Sequence, residues 1–205
     1  MNNKNNYQLN YDKAYESFTP DRVLNEFSSI ETYLVQNNKS LINFIQSYYS
    51  DSTGLMALRG KSVLEVGCGL GGLTHFFKKY TDDVAGIDIS SLAIINANEI
   101  ANVKGLNIDF DVVDVCSDID MERKFDVIVD SHLLHCLISH EDRSQYYRFI
   151  KKHLNPGGVF LCETMTFNEE IQEPLGYEIT QDKILLKEID GDKVPIRSIY
   201  PSMEI

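Results

Sequence analysis

The sequence predicts an α/β protein, a doubly wound and mostly parallel sheet preceded by a helical extension. Four observations carry this expectation. The stretch Val63-Leu64-Glu65-Val66-Gly67-Cys68-Gly69-Leu70-Gly71-Gly72-Leu73-Thr74 runs from an apolar strand pattern through an acid into a glycine cluster. Beyond it, Leu73, Phe76, Phe77 and Tyr80 fall at i, i+3, i+4 and i+7, one face of a helix. Strand-like runs then alternate with helical ones, the pattern of βαβ units with right-handed crossovers. Finally, Phe125-Asp126-Val127-Ile128-Val129-Asp130 is nearly all apolar, as strands buried on both faces of a parallel sheet are.

Each element has a local reason. Thr19-Pro20-Asp21 supplies an N-cap, a proline at the first helical position and an acid in the first turn. Val23, Leu24, Phe27, Ile30 and Leu34 follow at helical spacing, and Asn37-Asn38-Lys39 ends that helix. Ser40 is expected to cap a second helix carrying Leu41, Ile42, Ile45, Tyr48 and Tyr49. Residues 1–60 thus read as a helical extension, a lid over a sheet domain spanning 61–205. Val84 to Ile89 is a second strand whose end carries Asp88; Ser90-Ser91 caps a helix that Gly105 stops. Ile108 to Val115 reads as a third strand bearing Asp114, and Phe125 to Asp130 as a fourth. His140 to Leu154 is a helix with Tyr146, Tyr147, Ile150 and Leu154 on one face. Asn155-Pro156-Gly157-Gly158 stops it before a fifth strand, Val159 to Cys162. Tyr177 to Thr180, Lys183 to Ile189 and Val194 to Ile199 are strand-like, and Asp190-Gly191 is a turn signal, so a β-hairpin is expected within 164–200.

A glycine turn between strand and helix can present backbone N–H groups to a nucleotide-like ligand. Gly67-x-Gly69-x-x-Gly72 satisfies the dinucleotide pattern, so the loop alone does not choose a cofactor. Glu65-x-Gly67-x-Gly69-x-Gly71 also resembles the signature of class I S-adenosylmethionine (SAM)-dependent methyltransferases. Val113-Asp114-Val115, Phe125 to Leu137 and Asn155 to Gly158 are similar to further motifs of that family, in the right order. The resemblance covers residues 60–163. It implies a Rossmann-like methyltransferase sheet, SAM as cofactor and S-adenosylhomocysteine (SAH) as product. Relatives continue after the fifth strand with a helix and two antiparallel edge strands, which this sequence lacks.

Asp88 lies about twenty residues beyond the first glycine, where a carboxylate accepts ribose hydroxyls in either kind of cofactor. The resemblance assigns the remaining roles. Gly67, Gly69 and Gly71 approach the methionine portion, with Cys68 among them also expected at the cofactor; Glu65 orients that loop or binds the amino group, a structural role standing beside this one. Asp114 is placed to accept from the adenine amino group, Asp130 and Ser131 lie near the methionine portion, and Ile89 and Val115 are expected at the cofactor beside the acids they flank. His132 and His135 are the candidate general bases, needed only where the acceptor loses a proton; capping or packing is the alternative for both. His132, His135, Cys136 and His140 also invite a metal, but no acid completes a known spacing and none is expected. Tyr7, Tyr11, Tyr15 and Phe18 recur at near-helical intervals as a packing stripe, and Tyr11 to Tyr15 resembles the lids of relatives.

Composition bounds the function. With 43% hydrophobic and 24% charged residues in 205, the chain describes one globular domain with a substantial core. A net charge of −12 argues against nucleic acid, whose affinity is built from Lys and Arg contacts. No apolar run reaches the length of a membrane span, and the polar start is no signal peptide. Cys68, Cys116, Cys136 and Cys162 are scattered, which suits structural thiols in a reducing cytoplasm. A small-molecule acceptor is expected; a protein acceptor, a homodimer and a SAM-binding module without turnover stay open.

Overall fold

The computed structural model describes residues 11–26, 36, 38–49, 54–167, 177–189 and 191–199. Five strands form one parallel sheet: β1 (Val63–Val66), β2 (Val84–Asp88), β3 (Asp109–Val112), β4 (Phe125–Ser131) and β5 (Leu154–Glu163), in the order β3-β2-β1-β4-β5. The order reverses between β1 and β4, which makes the carboxyl end of β1 a switch point. Open α/β sheets bind their ligands at such a point.

Side-chain alternation divides the core. Val63, Val84, Val127 and Val129 face one layer with α2 (Lys39–Tyr48) and α3 (Gly72–Phe77). Leu64, Val66, Ala85, Ile87 and Ile128 face the other, against Tyr146, Phe149 and Ile150 of α5 (His140–His153). The central β1 is buried along its whole length. Each of these aliphatic side chains contributes about 1.5–3 kcal/mol when fully buried, which is why two helical layers hold the sheet. Helix α4 (Ser91–Lys104) starts at Ser90, whose hydroxyl accepts from Ala93 N, and ends at Gly105 with φ 63°. Both caps agree with the sequence.

Several expectations need correction. Helix α1 (Pro20–Asn25) begins as expected, Arg22 N donating to Thr19 Oγ1 at 3.3 Å. Phe27, Ile30 and Leu34, and the side chains of Val23 and Leu24, lie outside the described residues. Asn38, not Ser40, precedes α2, and its side chain makes no capping bond. Tyr48 is 49% exposed, because Leu41, Ile42 and Ile45 already fill that helix's buried face. Tyr147 turns outward, while Phe149 and His153 take the buried side of α5. Leu154 is the first residue of β5, whose pairing with β4 shifts register between Phe125 and Val127. Strand β3 stops at Val112, two residues before Asp114.

The tail forms a second sheet of β6 (Tyr177–Ile179), β7 (Ile184–Ile189) and β8 (Asp192–Ser198), antiparallel throughout. The expected hairpin is its β7–β8 half. Ser198, at the end of β8, donates to Leu137 O at 3.0 Å and accepts from Arg143 Nη1 at 2.8 Å. These bonds dock the small sheet beside the carboxyl end of β4. Among the described residues no helix is long and apolar enough to cross a membrane.

Candidate active site

Where β1 and β4 diverge, the glycine loop, the ends of β2 and β3 and the segment after β4 enclose a cavity of about 210 Å³. Its floor includes Gly67, Asp88, Ile89, Asp114, Val115 and Ser131, six of the residues expected at a cofactor. His132 lines it as well. Glu65, Cys68, Gly69, Gly71, Asp130 and His135 do not.

Each exclusion has a physical reason. Glu65 is buried in the core, where Oε2 accepts from Thr74 N at 2.7 Å and from the Thr74 hydroxyl. It ties the end of β1 to the first turn of α3. Burial pushes its pKa up to about 8 even though the Thr74 bonds oppose the shift. Cys68 packs beneath the loop against Ile94 and Phe110. Gly67 and Gly69 have φ of 68° and 53°. A Cβ on Gly67 would meet Leu133 at 2.6 Å, and one on Gly69 the Tyr15 hydroxyl at 2.5 Å. The chain's own side chains, not only a ligand, therefore require glycine here. Gly71 precedes α3 in the left-handed conformation.

Asp88 is the hinge of the site. Its Oδ2 accepts from Gly69 N and its Oδ1 from Ser90 N, both at 2.9 Å, so it pins the loop to the start of α4 while lining the cavity. Burial raises its pKa against these backbone bonds. Asp114 caps its own turn, accepting from Cys116 N at 2.9 Å.

Asp130 holds the segment after β4. Fully buried, it accepts from Leu133 N at 2.7 Å, Leu134 N at 3.0 Å and the Tyr146 hydroxyl at 2.7 Å. Burial pushes its pKa up to about 6. The turn it fixes puts His132 at φ 73°, an unusual conformation for a residue with a side chain. His132 Nδ1 lies 3.2 Å from Ser131 Oγ, and Nε2 lies 3.7 Å from Glu163 Oε2. That carboxylate oxygen is buried without a hydrogen-bond partner. His135 is buried on the far side, its Nδ1 accepting from Met165 N at 3.2 Å, and desolvation drives its pKa down to about 3. Of the two expected bases only His132 reaches the cavity.

Residues 11–15 form a helical turn across the mouth, and Tyr11 and Tyr15 line the cavity. Asp12 fastens the turn to α4, its Oδ1 accepting from Ser90 Oγ at 2.6 Å and Leu92 N at 3.3 Å. Asn96 Nδ2 donates to Phe18 O at 2.7 Å. Tyr7 lies outside the described residues. Arg197, from β8, also lines the cavity. Nothing in the sequence pointed to it, because the docking at Ser198 joins segments some sixty residues apart.

Residues 64–160 match a family model described as a methyltransferase domain. The chain carries a class I SAM-dependent methyltransferase domain. A ubiquinone biosynthesis O-methyltransferase of Coxiella burnetii is 30% identical over 132 residues, 62% of this chain and 53% of that protein. A SAM-dependent methyltransferase from Clostridium acetobutylicum has the same fold at TM-score 0.63 and 17% identity, over 88% of this chain and 83% of the other. DhpI in complex with SAH shares it at TM-score 0.58 and 21% identity, over 95% and 79%. The chain spans about half the length, or less, of the curated relatives it matches.

The residues present fit the cofactor of that class. A cradle too tight for a Cβ meets a strand-end carboxylate with acceptor capacity to spare, and Asp114 stands at the next strand. Burial keeps both tyrosines neutral, raising their pKa values, so their ring faces suit a cation. The volume of about 210 Å³ is below the ~300 Å³ at which small-molecule pockets begin, with Tyr11 and Tyr15 among the residues that line it.

Proposed function

We propose that this chain transfers a methyl group from SAM to a small-molecule acceptor in the cavity at the carboxyl ends of β1, β2 and β4. One observation carries the reading: Gly67, Asp88, Asp114 and His132, which lie far apart in the chain, line a single cavity. SAM supplies an electrophilic methyl on a sulfonium, so the protein's part is alignment and exclusion of water. Asp88 accepts the ribose hydroxyls, Asp114 faces the adenine, and the glycine loop admits the methionine portion. Tyr11 and Tyr15 close the mouth against water.

His132 is the base for an acceptor that loses a proton. Ser131 Oγ donates to Asn38 Oδ1 at 2.6 Å, which leaves its oxygen to accept from His132 Nδ1–H. Nε2 then carries the lone pair, and Glu163 stands where it stabilises the imidazolium formed when Nε2 takes the proton. Enclosure favours a small acceptor over a protein side chain, as do the named relatives. Four cysteines, none of them in a disulfide, suit a reducing cytoplasm.

Calorimetric titration with SAM and SAH tests the cofactor, and SAH release in a screen of small hydroxyl and amine compounds tests transfer. Asp88→Asn preserves the shape that holds Gly69 N but removes the charge. It is expected to weaken SAM binding about tenfold to a hundredfold, the loss of one charged hydrogen-bond acceptor. Unchanged affinity in that variant rules Asp88 out as the ribose ligand. Binding without turnover of any acceptor would make the domain a binding module.

A further inference from the structure

We infer that Arg197 anchors a carboxylate of the acceptor, so that the substrates of this site are small carboxylic acids. The inference rests on the methyl-transfer reading and deepens it. Arg197 is the one Lys or Arg among the cavity's described lining residues, which also include Asp88 and Asp114. Its Nη1 donates to the neighbouring Ile196 O at 2.8 Å, and no described carboxylate lies within ion-pair reach of it. Arg22 pairs with Glu26, and Arg123 with Asp83 and Asp109. In a chain of net charge −12, a half-buried arginine that meets no carboxylate among the described residues is available to an acidic ligand.

Its position is built, not incidental. Successive strand residues point to opposite faces. Ser198 is buried and clamped between Leu137 O and Arg143 Nη1, and Ile199 is buried beside it. That clamp fixes the end of β8 and leaves Arg197 facing the cavity, on the wall shared with Tyr11, His132 and Cys136.

The chemistry selects the ligand group. A guanidinium presents a planar fork that matches the two oxygens of a carboxylate. One cation balances one monoanion, whereas a phosphate dianion beside Asp88 and Asp114 would leave excess negative charge in a poorly solvated cavity. A short acceptor held at Arg197 by its carboxylate turns its other end toward His132, which is where a proton must leave. The cofactor's methionine portion also ends in a carboxylate, and the test separates the two.

Benzoate and benzamide are titrated by calorimetry into SAH-saturated protein, for the native chain, R197Q and R197K, with thermal unfolding to show that each variant is folded. Benzoate is expected to bind at least about tenfold more tightly than benzamide, as a charge-assisted bidentate contact requires. R197Q is expected to abolish that preference and leave SAH affinity within about twofold, with R197K between, since lysine keeps the charge and loses the fork. Equal binding of the two probes, or no benzoate binding by the native protein, overturns the assignment. So does a loss of SAH affinity in R197Q with benzoate unchanged, which would give the arginine to the cofactor. Failure of the folded native protein to bind SAH defeats the methyl-transfer reading instead, and benzoate titrated into the ligand-free chain then decides Arg197 by itself.

Discussion

His132 concentrates the residue-scale argument. A non-glycine residue at φ 73° costs on the order of 1–3 kcal/mol and persists only where its surroundings impose it. Here Asp130 imposes it by accepting from Leu133 N and Leu134 N, while His132 N donates to Glu163 O at 3.0 Å. His132→Gly therefore separates backbone from chemistry, since glycine takes that φ freely. It is expected to unfold at the same temperature or higher and to bind SAH normally. Its single-turnover rate should be slower by ~10²–10⁴, the usual worth of a positioned base. A normal rate would leave the ring without a catalytic part. Tyr146→Phe probes the support: it removes the hydroxyl donor from a buried carboxylate and is expected to destabilise the fold by about 1–3 kcal/mol in chemical denaturation. The place of His132 was legible from the strand before it. Glu163 as its partner was not, because that meeting depends on β5 lying beside β4. His135 was a second candidate in sequence, and burial removes it from the cavity.

At the scale of elements, the turn at 11–15 is the part that must yield. Tyr15 stands against Gly69 of the glycine loop, and Asp12 holds it there through the first turn of α4. That helix already has Ser90 as its cap, so Asp12 is an additional acceptor that ties mouth to frame. Asp12→Ala is expected to cost ~0.5–2 kcal/mol, the range for a lost capping side chain. It should also speed amide exchange in 11–18 and SAH dissociation together. Faster exchange without faster dissociation would show that the turn does not retain the cofactor. Strands β1, β2 and β4 and the caps of α4 were legible because each is written locally, as a continuous apolar run, Ser90 or Gly105. Boundaries set by neighbours were not. β3 ends early where its partner β2 ends, and β5 begins at Leu154 because Phe125 pairs with it. Arg197 belongs with these, being brought to the site by the docking of a second sheet.

For the whole molecule, the buried acids at the sheet's carboxyl end set how stability depends on pH. Glu65 and Asp130 have pKa values raised by burial to about 8 and about 6. A group raised on folding holds its proton more tightly in the folded state. Its contribution is complete below its unfolded pKa and is lost as pH rises through the folded one. His135 acts in the opposite sense. Its pKa falls to about 3, so its contribution is present above the ordinary value of 6.5 and is lost as the solution is acidified below it. Between pH 4.5 and 6 the two acids oppose the histidine. Above 6.5 His135 is neutral in both states and Asp130 is ionised in both, while Glu65 still differs between them. The melting temperature is therefore expected to fall as pH rises from 6.5 to 8. Glu65→Gln, which can still accept from Thr74 N, should flatten that fall, so that its advantage over the native protein grows across the window. Parallel slopes for the two proteins would show that Glu65 meets solvent or a cation when folded, and that the link between β1 and α3 is looser than its burial indicates. His135→Asn gives the mirror measurement, its difference from the native protein changing only below pH 6.5.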